Sequence, residues 1–411
     1  MAVERHTLSN GIRIIYRPVD SPVSHCAVFI PAGTRNENPD EHGIAHFIEH
    51  TIFKGTKKRS LLQVLNRLEN VGADLNAFTT KEETCIHASF LDQYFGRSLE
   101  LLHDICFHSV FPGGEIEKEK QVVADEIRSY QDTPSEQIYD DFEDLLFDGH
   151  PLGRNILGTL ESVKSFTRDR IRQFIRGNWI PEKTVICLSG RTGFPILVSA
   201  AEGYFGKEAP AGHGNGSRKK LDYTPSTRFV EKPINQVHCI LGSPAYPVSD
   251  KNRLPMVLLN NLLGGPVMNS RLSLALREKN GLTYHIDSSY TPYTDAGIFA
   301  IYFGTEPGLY DKALALIHKE LKKMREVKLS PVKLHTVRKQ LKGQLAIAFD
   351  SNLSVILSMG KSILRQDRFD LPEELLKKID RITAEQVLEV ANEILDPGRF
   401  SLLAYFPNKK L

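Results

Sequence analysis

Three side chains able to do chemistry together lie within five residues of the sequence. His46, Glu49 and His50 fall inside residues 43–55, a stretch that predicts one helix entered from a polar loop and ended at Gly55. At about 100° per residue, the three side chains share one face of that helix. Two imidazoles one turn apart can hold one metal ion with a carboxylate beside it, and zinc is the usual occupant of such a site. The alternative is a helix that carries two histidines and an acid for other reasons.

A catalytic zinc site needs a third protein ligand, and a second helical stretch offers candidates. This stretch opens at Pro112-Gly113-Gly114 and carries Glu119 and Glu126 one heptad apart. Both glutamates are spaced to lie beside an apolar stripe of Ile116, Val122, Val123 and Ile127. A carboxylate on an apolar face needs a compensating partner. That partner is either a metal ion or a neighbouring lysine or arginine.

These motifs resemble the insulinase-like zinc peptidases, whose His-x-x-Glu-His order defines the inverzincins. The resemblance rests on His46 to His50 within residues 43–56 and on the glutamate pair about 75 residues later. Further matches are Leu75–Thr79, His150–Thr159 and Arg277–Tyr284. The length resembles the subgroup of mitochondrial processing peptidase and its bacterial relatives. Thr51 stands where the family often has methionine, which leaves the chemistry untouched.

The resemblance implies a zinc endopeptidase that acts on peptides or short unfolded segments. We assign His46, His50 and Glu126 as ligands of one Zn²⁺ per chain. Glu49 is expected to be the general base that takes a proton from zinc-bound water and delivers it to the leaving amine. Glu119 is expected to orient His50 or the water. A simple salt bridge is the alternative for Glu119.

In two-part enzymes of this family, an arginine and a tyrosine from the other half of the assembly complete the site. Arg277 and Tyr284 match them, so Tyr284 is expected to donate to the oxyanion and Arg277 to hold substrate. Because this chain carries both sets, we expect a homodimer with a closed chamber. Structural contacts are the alternative role for both residues. For the whole chain, the alternatives are an active subunit that needs a different partner or a non-catalytic, core-type family member.

Asn76, Ala77, Phe78 and Thr79 resemble the edge strand on which a peptide substrate adds as a further strand. This mode of binding reads the peptide backbone more than its side chains. The alternative is an ordinary half-buried strand.

Composition excludes several classes of protein. A net charge of +2 over 411 residues argues against a general binder of nucleic acid or membrane surfaces. The five scattered cysteines predict free structural thiols in a reducing compartment. The chain has no run of 18 apolar residues and no signal or transit sequence at its start. We therefore expect a cytoplasmic protein.

The order of elements suggests, and the family resemblance implies more firmly, an α+β fold of two homologous α/β-sandwich domains related by duplication. Each would pack helices on a mixed, mostly antiparallel sheet. We place the zinc-binding domain at residues 1–208, a Gly-, Pro- and Lys-rich linker at 209–226, and the second domain at 227–411. In the second copy, Met256, Leu259 and Asn260 fall where His46, Glu49 and His50 fall in the first, so this copy has no metal ligands.

The remaining histidines are expected to be structural. His42 lies one turn before His46, at the junction of loop and helix, and His150 belongs to a turn. Five further histidines have no partner at a ligand spacing and are assigned none: His87, His103, His108, His238 and His285.

Overall fold

The computed structural model describes residues 3–209 and 221–408, which divide into two compact units. The first unit takes the described residues of Met1–Ser129, Arg154–Arg218 and Phe349–Phe369. The second takes those of Tyr130–Gly153, Lys219–Ala348 and Asp370–Leu411. The predicted domain limits remain a prediction, since most of the predicted linker at 209–226 lies outside the described residues.

The first unit is built on a six-stranded sheet in the order β1-β2-β6-β3-β5-β4. Its strands are β1 (Glu4–Thr7), β2 (Arg13–Pro18), β3 (Val23–Ile30), β4 (Asp74–Thr79), β5 (Thr84–Leu91) and β6 (Val185–Gly190). All neighbouring pairs are antiparallel except β2 and β6. Gly11, in the loop between β1 and β2, has φ +91°, a conformation that favours glycine.

Helices cover both faces of this sheet. They are α1 (Ile44–Thr51), α2 (Leu61–Glu69), α3 (Phe95–His108), α4 (Gly113–Gln131), α6 (Leu160–Ser165), α7 (Arg168–Asn178), α8 (Phe194–Tyr204) and α12 (Asn352–Gln366). Helices α1 and α3 share one core with β3 and β5. On the other face, α12 packs against Phe29, Cys85 and Cys187, so β3 is buried along most of its length.

The second unit has a five-stranded sheet in the order β7-β11-β8-β10-β9. Its strands are β7 (Thr227–Lys232), β8 (Val237–Pro244), β9 (Ile286–Pro292), β10 (Gly297–Thr305) and β11 (Ser401–Pro407), of which only β7 and β11 pair in parallel. Its helices are α5 (Pro134–Leu146), α9 (Arg253–Gly264), α10 (Tyr310–Glu326), α11 (Pro331–Ala348), α13 (Pro372–Asp380) and α14 (Ala384–Ile394). A short π-helical segment, Ser273–Glu278, precedes β9.

The two units repeat one topology, which confirms the predicted duplicated fold. In each sheet the single parallel pair lies beside three antiparallel strands, and the strand order is the same from β2 to β4 as from β7 to β9. Each unit contains one helix from the part of the chain that otherwise forms the other unit. Helix α5 follows α4 in the chain but packs on β8 and β11, whereas α12 follows α11 but packs on β3 and β6.

Three local expectations from the sequence were wrong. The residue pattern from Leu160 to about Arg176 predicts one helix. The structure has two, because the hydroxyl of Thr167 accepts the N–H of Arg170 and starts a new helix. Val122, expected in the apolar stripe of α4, is 48% exposed. Alternation of apolar Ile86, Ala88 and Phe90 with His87 predicts that His87 lies on a polar face of β5, but His87 is buried.

Candidate metal centre

Helix α1 presents one reactive face and buries the other. Ile44, Phe47 and Ile48 are fully buried in the core of the first unit. The rings of His46 and His50 meet edge to face, with centroids 4.6 Å apart. Gly43 precedes the first residue of the helix and has φ +90°. A Cβ added to Gly43 would lie 2.6 Å from Gly158 Cα. Only glycine fits this entry, so the backbone before His46 is tightly placed.

Helix α4 supplies the third group. Glu126 Oε2 lies 3.3 Å from His50 Nε2, and Glu126 Oε1 lies 3.8 Å from His46 Nε2. One ligand atom from each of these three residues lies within 4.8 Å of the others. The structure therefore brings together the three residues that the sequence assigned as metal ligands.

The donor set fits zinc. Two imidazole nitrogens and one carboxylate oxygen are ligands of catalytic zinc sites, which keep a fourth position open. Two donors each about 2.0 Å from a tetrahedral ion are separated by about 3.3 Å. The observed separations of 3.3 and 3.8 Å are close to this value.

Electrostatics set the charge of the two imidazoles differently. Burial, and then the neighbouring His50, lowers the pKa of His46 to about 4, so this imidazole is neutral at physiological pH. Burial also acts on His50, but Glu126 and Glu119 outweigh it and raise its pKa. The hydrogen-bonding contact with His50 in turn lowers the pKa of Glu126. The carboxylate is thus ionised, as a metal ligand must be.

Glu49 lies on the same face of α1 and is not one of the three clustered groups. Burial raises the pKa of its carboxyl, while the hydroxyl and backbone of Thr79 oppose that rise. A partly buried carboxylate with a raised pKa has the character of a general base.

Glu119 makes both of the contacts that the sequence left as alternatives. Its Oε2 lies 3.3 Å from His50 Nδ1, and its Oε1 lies 2.6 Å from Lys54 Nζ. A carboxylate behind the second nitrogen of a ligating imidazole fixes the ring's orientation. Lys54 compensates the charge of the buried Glu119 side chain, because an unpaired buried carboxylate is costly.

Asn76 to Thr79 belong to β4, which is an outer strand among the described strands and pairs with β5 only. The N–H of Ala77 donates to the side chain of Asn76 at 2.8 Å and so takes no part in the ladder with β5. Thr79 lies at the end of β4 beside Glu49. The strand expected to bind peptide is therefore an edge strand that ends at the candidate centre.

Arg277 and Tyr284 belong to the second unit. Arg277 Nε donates to Glu278 at 2.7 Å, and its buried Nη2 has no hydrogen-bond partner among the described residues. Tyr284 is 89% exposed. In the equivalent of α1, Met256 and Leu259 on α9 are fully buried.

Sequence reasoning missed a buried carboxylate at the start of α1. Glu37 Oε2 accepts the N–H of Gly43 at 2.9 Å, and Glu37 Oε1 accepts the N–H of Ala45 at 3.0 Å. Arg154 donates to the backbone carbonyl of Glu37. Glu37 lies six residues before Gly43, the N-cap of α1, whereas capping signals in a sequence stand next to the helix start, so no local pattern pointed to Glu37.

The structural roles expected of His42 and His150 are confirmed. His42 Nε2 donates to the carbonyl of Asn155 at 2.8 Å, and His150 Nδ1 accepts the N–H of Leu152 at 3.2 Å. The prediction that His103 and His108 have no partner is wrong. Glu208 Oε1 lies 2.7 Å from His103 Nε2 and 3.9 Å from His108 Nε2. The five cysteines are free and buried.

Comparison with known families divides the chain into two matched regions. Residues 14–160 match the model described as insulinase (peptidase family M16), and residues 165–341 match the model described as peptidase M16 inactive domain. The first region contains the His46, His50 and Glu126 cluster.

Curated relatives match over nearly the whole chain. An uncharacterised zinc protease of Bacillus subtilis is 32% identical over 395 residues, covering 95% of each chain. One from Rickettsia bellii is 32% identical, covering 96% of this chain and 95% of the relative. Both relatives are named zinc proteases. The chain belongs to peptidase family M16, the insulinase family.

Solved structures share the fold. A peptidase M16 inactive domain from Pseudomonas fluorescens superposes with a TM-score of 0.92 at 19% identity, over 99% of this chain and 98% of that one. A protease from Helicobacter pylori gives 0.90 at 21% identity, over 99% and 100%. Among the described residues, no helix combines the length and apolar character needed to cross a bilayer.

Proposed function

We propose that this protein is a zinc-dependent endopeptidase that hydrolyses peptides or short unfolded segments inside a closed chamber formed by a homodimer. The observation that carries this proposal is the cluster of His46, His50 and Glu126, with Glu49 on the same helix face. Family membership and the zinc proteases among the relatives support a metallopeptidase.

His46 Nε2, His50 Nε2 and a Glu126 carboxylate oxygen would hold one zinc ion per chain. When bound, zinc lowers the pKa of a coordinated water towards neutrality and polarises the scissile carbonyl. A Glu49 carboxylate oxygen accepts the proton of the attacking water and later delivers it to the leaving amine. Because water is the nucleophile, the reaction needs no covalent intermediate with the protein.

Glu119 and Lys54 act behind the ligands. Glu119 Oε2 accepts the N–H at Nδ1 of His50, which leaves Nε2 free to bind the metal. Lys54 holds the other Glu119 oxygen, so the carboxylate cannot turn towards the cluster. Glu119 is therefore a positioning residue in this proposal.

The substrate backbone binds to β4 as an added strand. The outward N–H of Ala77 is an available donor once the Asn76 side chain releases it. Since Thr79 lies beside Glu49, a peptide extended along Asn76 to Thr79 runs towards the reacting carboxylate. Backbone pairing of this kind tolerates many sequences.

Arg277 and Tyr284 of the partner subunit complete the site. The exposed phenol of Tyr284 is free to donate a hydrogen bond to the developing oxyanion. The Arg277 side chain is 32% exposed, and its guanidinium can bind a substrate carbonyl or carboxylate.

The deciding experiment compares wild type with Glu49→Gln. We expect hydrolysis of a quenched fluorescent peptide library to fall by at least about 10²-fold, while mass spectrometry finds the same zinc content in both proteins. Glu69→Gln, a surface change at the end of α2, is the matched control and should keep full activity.

Two results would contradict the proposal. If the wild-type protein binds no zinc, the proposed metal centre is ruled out. Wild-type protein that binds zinc but cleaves no peptide in the library would indicate a binding function or a missing partner chain.

A further inference from the structure

A second cluster of metal-ligand side chains lies in the first unit. His103 and His108 stand on α3, and Glu208 follows the end of α8. Glu208 Oε1 lies 2.7 Å from His103 Nε2 and 3.9 Å from His108 Nε2. One ligand atom from each residue lies within 4.8 Å of the other two. The donor set, two imidazoles and one carboxylate, equals that of the proposed catalytic centre.

The surroundings of His103 hold its ring in place. His103 is 7% exposed, and the rings of Phe205 and Phe107 lie 5.1 and 5.6 Å from it, centroid to centroid. The rings of His103 and His108 meet edge to face at 5.0 Å. His108 and Glu208 keep about a fifth of their side-chain surface exposed, which leaves a path from solvent for an ion.

A buried carboxylate lies behind His108. Asp104 has no exposed side-chain surface, and its Oδ1 is 3.5 Å from His108 Nδ1. Asp104 Oδ2 is held by Thr56 and Arg59, whereas Oδ1 has no hydrogen-bond partner among the described residues. A carboxylate at the far nitrogen of an imidazole orients that imidazole towards a metal.

The proposed catalytic centre repeats this arrangement. His50 has Glu119 at Nδ1 and Glu126 at Nε2, both at 3.3 Å. His108 has Asp104 at Nδ1 and Glu208 at Nε2, at 3.5 and 3.9 Å. In both places one imidazole lies between a backing carboxylate and a carboxylate that can bind an ion.

We propose that His103, His108 and Glu208 bind a second divalent transition-metal ion, of the zinc class, that takes no part in peptide hydrolysis. Imidazole nitrogen with one carboxylate favours zinc, nickel or copper over magnesium or calcium. The ion would tie the chain after α8 to α3. Asn10 already holds that segment, donating to the carbonyls of Phe205 and Glu208 at 2.8 and 3.1 Å.

The test is a zinc titration of the untagged full-length protein after removal of metal with a chelator. Isothermal calorimetry should find two zinc ions per wild-type chain. We expect one ion per chain in His108→Gln and in Glu208→Gln. The control His335→Gln changes an exposed histidine on α11 and should keep two ions.

Activity separates the second ion from the catalytic one. His108→Gln, loaded with one zinc, should cleave peptide at the wild-type rate, whereas His50→Gln should retain one zinc and lose activity. A single zinc in wild type that His108→Gln retains would overturn the proposal, as would two zinc ions in both His108→Gln and Glu208→Gln. Loss of activity in His108→Gln with normal folding by circular dichroism would also overturn it, because the two sites would then not be independent.

Discussion

At the scale of single residues, the buried carboxyl of Glu37 binds the start of α1 and has a raised pKa. The first N–H groups of a helix have no partner within the helix, and the Glu37 carboxyl accepts two N–H groups there. Burial raises the pKa of Glu37 to about 8, although these N–H groups and Arg154 oppose the rise. The proton balance of this residue is therefore linked to the stability of the first unit.

We expect Glu37→Gln to flatten the dependence of stability on pH. A folded-state pKa of about 8 lies above the unfolded value of about 4.3, so between these values the folded chain binds the extra proton. The free energy of unfolding of wild type should then fall as pH rises from about 4.5 to 8. Thermal unfolding at pH 5 and pH 8, with chelator present to remove metal effects, measures this fall.

Glu69→Gln provides the comparison for Glu37→Gln. Glu69 is exposed, so this variant should lose stability with pH as steeply as wild type. If Glu37→Gln also keeps the wild-type slope, the linkage assigned to Glu37 is wrong.

At the scale of elements, the exchanged helix α12 is positioned by close packing on the first sheet. Gly360 faces Phe29, and a Cβ on Gly360 would lie 2.0 Å from Phe29 Cε2. Arg365 also binds the buried Glu83 at 2.8 Å. The helix therefore lies too near the sheet to admit even one methyl group at Gly360.

Gly360→Ala should lower the free energy of unfolding by about 1–3 kcal/mol, because Phe29 is fully buried and cannot move aside. Gly343→Ala on α11 is the matched control, since its Cβ would meet nothing within 4 Å. That variant should be unchanged or more stable by up to about 1 kcal/mol. Equal unfolding midpoints in urea for the two variants would contradict the close approach of α12.

The edge strand β4 allows a test of peptide addition. Ala77→Pro removes an N–H that does not serve the pairing with β5, and proline is tolerated on edge strands. Loss of one hydrogen bond to substrate should raise KM about five-fold with little change in kcat. Asn76→Ala frees the same N–H and should leave KM equal or lower. An unchanged KM in Ala77→Pro would indicate that peptides bind elsewhere.

At the scale of the whole molecule, the proposed homodimer predicts complementation between inactive chains. Glu49→Gln lacks the base, and Tyr284→Phe lacks the oxyanion donor and should lose about 10²-fold in kcat. In a mixed dimer, one site combines the intact Glu49 of one chain with the intact Tyr284 of the other.

Equal mixing with free exchange of subunits should restore about a quarter of wild-type activity, since half of the dimers are mixed and each has one complete site of two. Each variant alone, at the same total concentration, is the control. Sedimentation confirms that dimers form and exchange. No recovery after confirmed exchange would mean that each site uses Arg277 and Tyr284 of its own chain or neither residue.

The amino-acid sequence by itself determined the parts that depend on local pattern. Helical spacing placed His46, Glu49 and His50 on one face, although α1 ends at Thr51, four residues before the predicted end at Gly55. The family resemblance added Glu126 and the duplicated fold. Alternation identified β5 and the family resemblance identified β4, although neither showed that α12 covers the second face of the sheet.

Tertiary structure alone decided the contacts between residues far apart in the chain. The exchange of α5 and α12, the pairing of Lys54 with Glu119, and the meeting of His103 and His108 with Glu208 have no periodic signal in the sequence. The residue pattern of a helix shows which of its faces is buried, but it does not show which sheet packs against that face. The packing partner of a helix is decided only when the whole chain folds. The reason is that the free energy gained by burial depends on the apolar area buried and not on separation in the sequence.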